Sequence, residues 1–197
     1  MKSSILRAGA AALACALGLS ACGGGDGDLY LYGSVSGVTK DGLVLKNGGS
    51  TVAVAAPYTT FQFDSRVSTD DSFDIQVDKM PSNVEKCQVI NGKARANYYT
   101  IAQISVVCQI KTHAFAVAVN GLTTSGLVIL NGADRREVAP GTTSVTMNPV
   151  YEDVQYGVSI LTQPTGQTCK VSGGDNGTGA GTMRDTDLNG KVVVTCA

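Results

Sequence analysis

The sequence predicts an all-β molecule made of two tandem small antiparallel β-sandwiches. Three observations carry that prediction: short runs in which apolar and polar residues alternate, turn dipeptides between those runs, and a self-match that divides the chain into two copies. "GVTKDGLVLKNGGS" (Gly37 to Ser50) aligns with "GLTTSGLVILNGAD" (Gly121 to Asp134), 84 positions on. "FDIQVDKMP" (Phe73 to Pro81) aligns with "YGVSILTQP" (Tyr156 to Pro164), and each copy closes on an alternating strand, "ISVVCQ" or "KVVVTC". The units run over 29–109 and 110–197.

Ahead of the first unit, Lys2 and Arg7 precede an apolar run from Ala8 to Leu19, the pattern of a signal peptide over 1–21 and too short to span a bilayer as a helix. Leu19-Ser20-Ala21-Cys22 resembles the lipobox of bacterial lipoproteins, in which the cysteine is acylated and becomes the mature N-terminus. That resemblance implies a lipid on Cys22, a membrane partner through that lipid, and an exported protein anchored to the outer membrane on its periplasmic or surface face. Several acyl chains would hold the protein durably where one would not. Residues 22–28, rich in glycine, form a flexible tether.

The strands follow in order. In the first copy, Leu29/Leu31, Leu43/Leu45, Val52/Val54, Phe61/Phe63, Phe73/Ile75/Val77, Cys87/Val89 and Ile104/Val106/Cys108 alternate with polar or small neighbours. Asp41-Gly42, Asn47-Gly48 and Asn91-Gly92 mark turns between them. The second copy repeats the series with Phe115/Val117/Val119, Leu127/Ile129, Val145/Met147, Tyr156/Val158/Ile160, Cys169/Val171 and Val192/Val194/Cys196. About seven strands in so short a unit suggest an immunoglobulin-like sandwich, although the chain has no tryptophan for the buried position of true immunoglobulin domains.

Of the six cysteines, Cys15 leaves with the signal peptide and Cys22 takes the lipid. Cys87, Cys108, Cys169 and Cys196 remain, one pair at equivalent places in each copy, and a self-contained unit predicts Cys87–Cys108 and Cys169–Cys196 bridges. A zinc site is disfavoured, since there is no C-x-x-C pair and the single histidine, His113, is remote in sequence from every cysteine.

The second copy, with "SGLVILNG", "VAPGTTSVTM", "YGVSILTQPTGQTCKVSGG" and "VVVTC", resembles a repeat unit of exported proteobacterial proteins, many of them lipoproteins without assigned function. The resemblance covers nearly all of the mature chain, more loosely in the first copy, and implies a structural or adhesive module.

The chemistry offered by the chain is sparse. A Ser-His-Asp or Cys-His arrangement would need His113, which reads instead as a surface or linker residue. H-E-x-x-H, P-loop and G-x-S-x-G patterns are missing, and no metal or cofactor is expected. "GGDNGTGAG" (Gly173 to Gly181) reads as a long mobile loop, "DRRE" (Asp134 to Glu137) as an exposed turn, and Asp70, Asp71, Asp175, Asp185 and Asp187 as solvated loop carboxylates. Fifteen basic residues against sixteen acidic ones leave a net charge of −1, which steers neither nucleic acid nor an anionic membrane. The expectation is a non-enzymatic binding, adhesion or envelope-structural module whose partner is a protein or a glycan. An enzyme inhibitor or accessory, or a small-ligand carrier, is the alternative. The two copies differ most in length between their paired cysteines, so the binding loop is expected in Ser172 to Gly190, with Asp175, Asn176, Arg184, Asp185 and Asp187 as its contacts on a loop that varies freely above the sandwich.

Overall fold

A computed structural model describes residues 28–184, 186, 187 and 190–197. The chain forms two tandem β-sandwiches with the same strand order. The first contains β1 (Leu29–Ser36), β2 (Leu43–Asn47), β3 (Ser50–Val54), β4 (Thr60–Val67), β5 (Ser72–Lys79), β6 (Val84–Ile90), β7 (Lys93–Arg95), a short α1 (Tyr98–Ile101) and β8 (Ser105–Ile110). The second contains β9 (Thr112–Asn120), β10 (Leu127–Asn131), β11 (Asp134–Val138), β12 (Ser144–Tyr151), β13 (Gln155–Thr162), β14 (Cys169–Gly173), β15 (Ala180–Thr182) and β16 (Val192–Cys196).

Each unit packs one four-stranded sheet on another. The first has the orders β4-β1-β8-β6 and β3-β2-β5-β7, and the second repeats them as β12-β9-β16-β14 and β11-β10-β13-β15. Neighbours are antiparallel except that the first strand of each unit lies parallel to the last, β1 beside β8 and β9 beside β16. Alternation turns one side of each strand inwards, and two separate apolar cores result. Leu31, Leu45, Phe63, Phe73, Ile101 and Val106 fill the first, with Phe61 and Phe63 edge to face at 5.9 Å. Phe115, Val117, Ile129, Met147, Met183 and Val194 fill the second.

Equivalent devices close both units. The hairpins β2–β3 and β10–β11 turn on Gly48 and Gly132, both at positive φ, which a two-residue primed turn requires. The asparagine before each glycine also reaches sideways, Asn47 Oδ1 accepting from the Asp74 N–H at 2.9 Å and Asn131 Oδ1 from the Gly157 N–H at 2.9 Å. After β1 and β9, Gly37 and Gly121 take positive φ where a Cβ would strike the carbonyl oxygen of Cys108 or Cys196. Those cysteines belong to the bridges Cys87–Cys108 and Cys169–Cys196, one in each unit. Both bridges join directly opposed residues of neighbouring strands, β6 to β8 and β14 to β16, within one sheet.

Three local features depart from the sequence reading. The seventh strand of each unit, β7 or β15, is three residues long, too short for alternation to reveal. Helix α1 is a single turn held by a capping box: Asn97 accepts from the Tyr99 and Thr100 N–H groups, and the Thr100 hydroxyl accepts from the Asn97 N–H at 3.1 Å. "DRRE" is not a turn but most of β11, an edge strand anchored by buried Val138. Edge strands tolerate charge, and this one uses it to seal the side of the sandwich. Asp134 accepts from the Asn148 N–H of β12 at 2.6 Å, while Arg136 donates to the Asn148 side chain at 2.9 Å. Ser50 and Ser65 make the corresponding 2.8 Å contact in the first unit.

Candidate functional site

Among its described residues, the loop between β14 and β16 is folded rather than free, and Asp175, Asn176 and Asp187 bond to their own unit. Gly173, Gly174, Gly177 and Gly179 adopt positive φ, bringing Gly174 back to Ala180 and starting β15. Asp175 accepts from the Thr182 N–H at 3.0 Å and lies 3.8 Å from the Arg184 guanidinium. Asn176 accepts from the Thr178 hydroxyl at 3.0 Å. Asp187 turns the other way and accepts from the Ala114 N–H of β9 at 2.8 Å. Between them Met183 is fully buried in the core. The freely varying loop is therefore corrected, since a segment that supplies a strand and a core side chain is part of the scaffold, while Asp175 and Asp187 remain about half exposed to solvent. The first unit treats its carboxylates likewise, Asp71 accepting from the Ser68 N–H at 2.8 Å. Asp185, Cys22, the signal peptide and residues 22–27 of the tether lie outside the described residues.

Beneath this loop Gly181 leaves room for two larger neighbours, the Tyr156 hydroxyl and the Asp175 carboxylate. Burial pushes the Tyr156 phenol above its ordinary pKa and the Asp175 charge adds to the rise, with Arg184 pulling it back. The ring packs 5.3 Å from Phe115, and its hydroxyl has no hydrogen-bond partner among the described residues.

The second concentration of polar groups lies where the units meet. β8 ends at Ile110 and β9 begins at Thr112, so Lys111 alone connects them. Its N–H donates to the Asn83 carbonyl at 3.0 Å, its carbonyl accepts from the Glu152 N–H at 2.9 Å, and its ammonium donates to the Ser82 carbonyl at 2.6 Å. Glu152, only 6% exposed, places Oε2 3.2 Å from His113 Nε2 and 3.9 Å from Lys111 Nζ. Lys40 of the first unit reaches Asp153 of the second at 3.3 Å. An open cleft of about 370 Å³ lies between these residues, and Arg184 borders it.

His113 is thus not a surface residue. Its side chain is 12% exposed and lies between Glu152 and, at 3.9 Å, Asp187. The partner missed by sequence reasoning is Glu152, although the repeat held a signal. His113 and Glu152 occupy the positions at which the first copy has Leu29 and Thr69, so both ionisable groups occur in the second copy alone. A buried carboxylate needs a charged or hydrogen-bonding partner, and those two positions supply each other.

Among the described residues, no group of three or more His, Cys, Asp or Glu side chains is arranged to hold a metal ion. No family model matches the chain, and no curated protein matches it. Among solved structures it is similar to the major pilin protein T-13 of Streptococcus pyogenes, at 11% identity over 85% of this chain and 96% of that one, with a TM-score of 0.31. At that score the likeness has no bearing on function.

Proposed function

We propose that the chain is an exported lipoprotein, tethered to the outer membrane through Cys22, that works as a non-catalytic binding, adhesion or envelope-structural module. The observation that carries this reading is the use made of its reactive side chains. Lys111, through Ser82 and Asn83, and the Lys40–Asp153 pair join the two units, Glu152 is taken up by His113 and Lys111, and Asp175 and Asp187 fasten the loop most divergent in length. Groups committed in this way serve to hold two sandwiches as one arm. A disulfide in each unit suits an oxidising compartment outside the cytoplasm.

The test is fractionation of cells expressing the wild type and Cys22→Ser. The wild type is expected, as a processed lipid-modified form, in the outer-membrane fraction, and the variant either soluble or stalled as precursor. A Cys22→Ser protein that is still processed and still membrane-bound overturns the tether.

A further inference from the structure

The two copies differ in a second respect that folding does not require. Five of the seven tyrosines, Tyr30, Tyr32, Tyr58, Tyr98 and Tyr99, belong to the first unit, and none of them lies in its core. On the outward face of β1, Tyr30, Tyr32 and Ser34 stand where β9 has Ala114, Ala116 and Ala118, in the same register against the neighbouring strand. Alanine at these places evidently suffices for the sandwich, so the rings serve something other than the fold.

One of these rings, Tyr32, borders a cleft. Tyr32, Ser34, Thr60, Gln62 and Ala102 line a cavity of about 510 Å³, within the range of small-ligand sites, and none of its lining residues is charged. Ala102 is the C-cap of α1, and Tyr98 lies four residues before it, hence one turn away on the same side of the helix. Tyr98 is 70% exposed and Tyr99 77%, their rings edge to face at 5.8 Å, while Tyr32 is 39% exposed. The capping box holds the backbone of this one-turn helix, so the positions from which both rings project are set before any partner arrives. Next along β1, Tyr30 is covered by Arg66, whose guanidinium carbon sits 4.5 Å from the ring centre.

We propose that this face of the first unit binds a neutral glycan. Flat rings offer apolar contact to the C–H faces of sugar rings, and the hydroxyls and amide of Ser34, Thr60 and Gln62 suit sugar hydroxyls. The uncharged lining matches an uncharged polyol and provides no attraction for phosphate, nucleic acid or an anionic membrane. Tyrosine also brings large contact area at low cost in side-chain entropy. The proposal is independent of the lipid anchor.

The test titrates the detergent-solubilised full chain with maltohexaose, cellohexaose and chitohexaose, using calorimetry and the chain's intrinsic fluorescence. With 7 tyrosines and no tryptophan, that emission comes from tyrosine alone, and five of the seven belong to the first unit. Saturable binding of at least one of these probes is expected. Tyr32→Ala, and separately Tyr98→Ala with Tyr99→Ala, should weaken it by about tenfold or more, while Tyr32→Phe keeps the ring and most of the affinity. These side chains point outwards, so intact disulfides and an unchanged unfolding temperature verify the fold of each variant. No saturation by any of the three sugars overturns the proposal, as does binding indifferent to Tyr32→Ala, or saturation only by phosphatidylglycerol vesicles.

Discussion

Tyr156 connects a single side chain to a measurable pH dependence. Its phenol is held above its ordinary pKa by burial, reinforced by the Asp175 carboxylate. The fold therefore favours the protonated form, and the unfolded chain ionises first. Below an ordinary tyrosine value of about 10 both states keep the proton, so nothing is lost; as the pH rises beyond it, this contribution declines until the native phenol also ionises. Urea denaturation near neutrality and at about pH 10.5 should show an alkaline loss of stability that Tyr156→Phe reduces. The same variant should be no less stable near neutrality, because it removes a buried hydroxyl without a partner among the described residues. Equal alkaline loss in the two proteins would refute this. The phenol's position was legible as the inward residue of an alternating run, but its pairing with Asp175 was not. The same holds for Asn47 and Asn131, readable as turn residues yet bonded to strands 27 and 26 residues downstream. Local pattern shows which way a side chain points and leaves open which distant backbone it meets.

At the level of elements, what was legible is what has a period. Strands of five to nine residues with one buried face write an alternation into the sequence, whereas β7, β15 and α1 are too short to repeat anything. β11 was hidden by composition, because "DRRE" alternates in burial but not in polarity; only its equivalence with β3 in the first copy could have exposed it. The bridges were legible through the repeat, and their energetic share can be stated. The enclosed separations of 21 and 27 residues correspond in the chain-entropy model to about 3.5 kcal/mol each. Replacing Cys169 and Cys196 together by Ser should therefore lower the stability of the second unit by about that amount. The transition of the first unit, whose core is separate, should stay in place. Differential scanning calorimetry reads both, and a matching fall in the first transition would show that the cores are coupled. By the same token the β14–β16 loop cannot be cut back as a whole, since Met183 and β15 would leave with it.

The whole molecule is set by the junction, whose position the repeat marks and whose contacts it does not. Lys40, Ser82, Lys111 and Glu152 come from separate loops and the connecting residue, and their proximity exists only once both sandwiches have formed. One connecting residue, clamped on both sides by main-chain hydrogen bonds, predicts a narrow range of inter-unit orientations. Inserting Gly-Ser-Gly-Ser after Lys111 should widen the distance distribution seen by small-angle X-ray scattering and leave both unfolding transitions near their original temperatures. Scattering curves that superimpose would mean that the other contacts hold the units without it. The parallel pairing of first and last strands bears on what such an arm can withstand. The chain enters each unit at the start of β1 or β9 and leaves at the end of β8 or β16, so tension along the chain pulls the paired strands past one another. The bonds between them are then loaded together in shear, not opened one by one as in a zipper. Behind that lock the disulfides close off the 87–108 and 169–196 segments, which cannot pay out as slack even after a sandwich gives way.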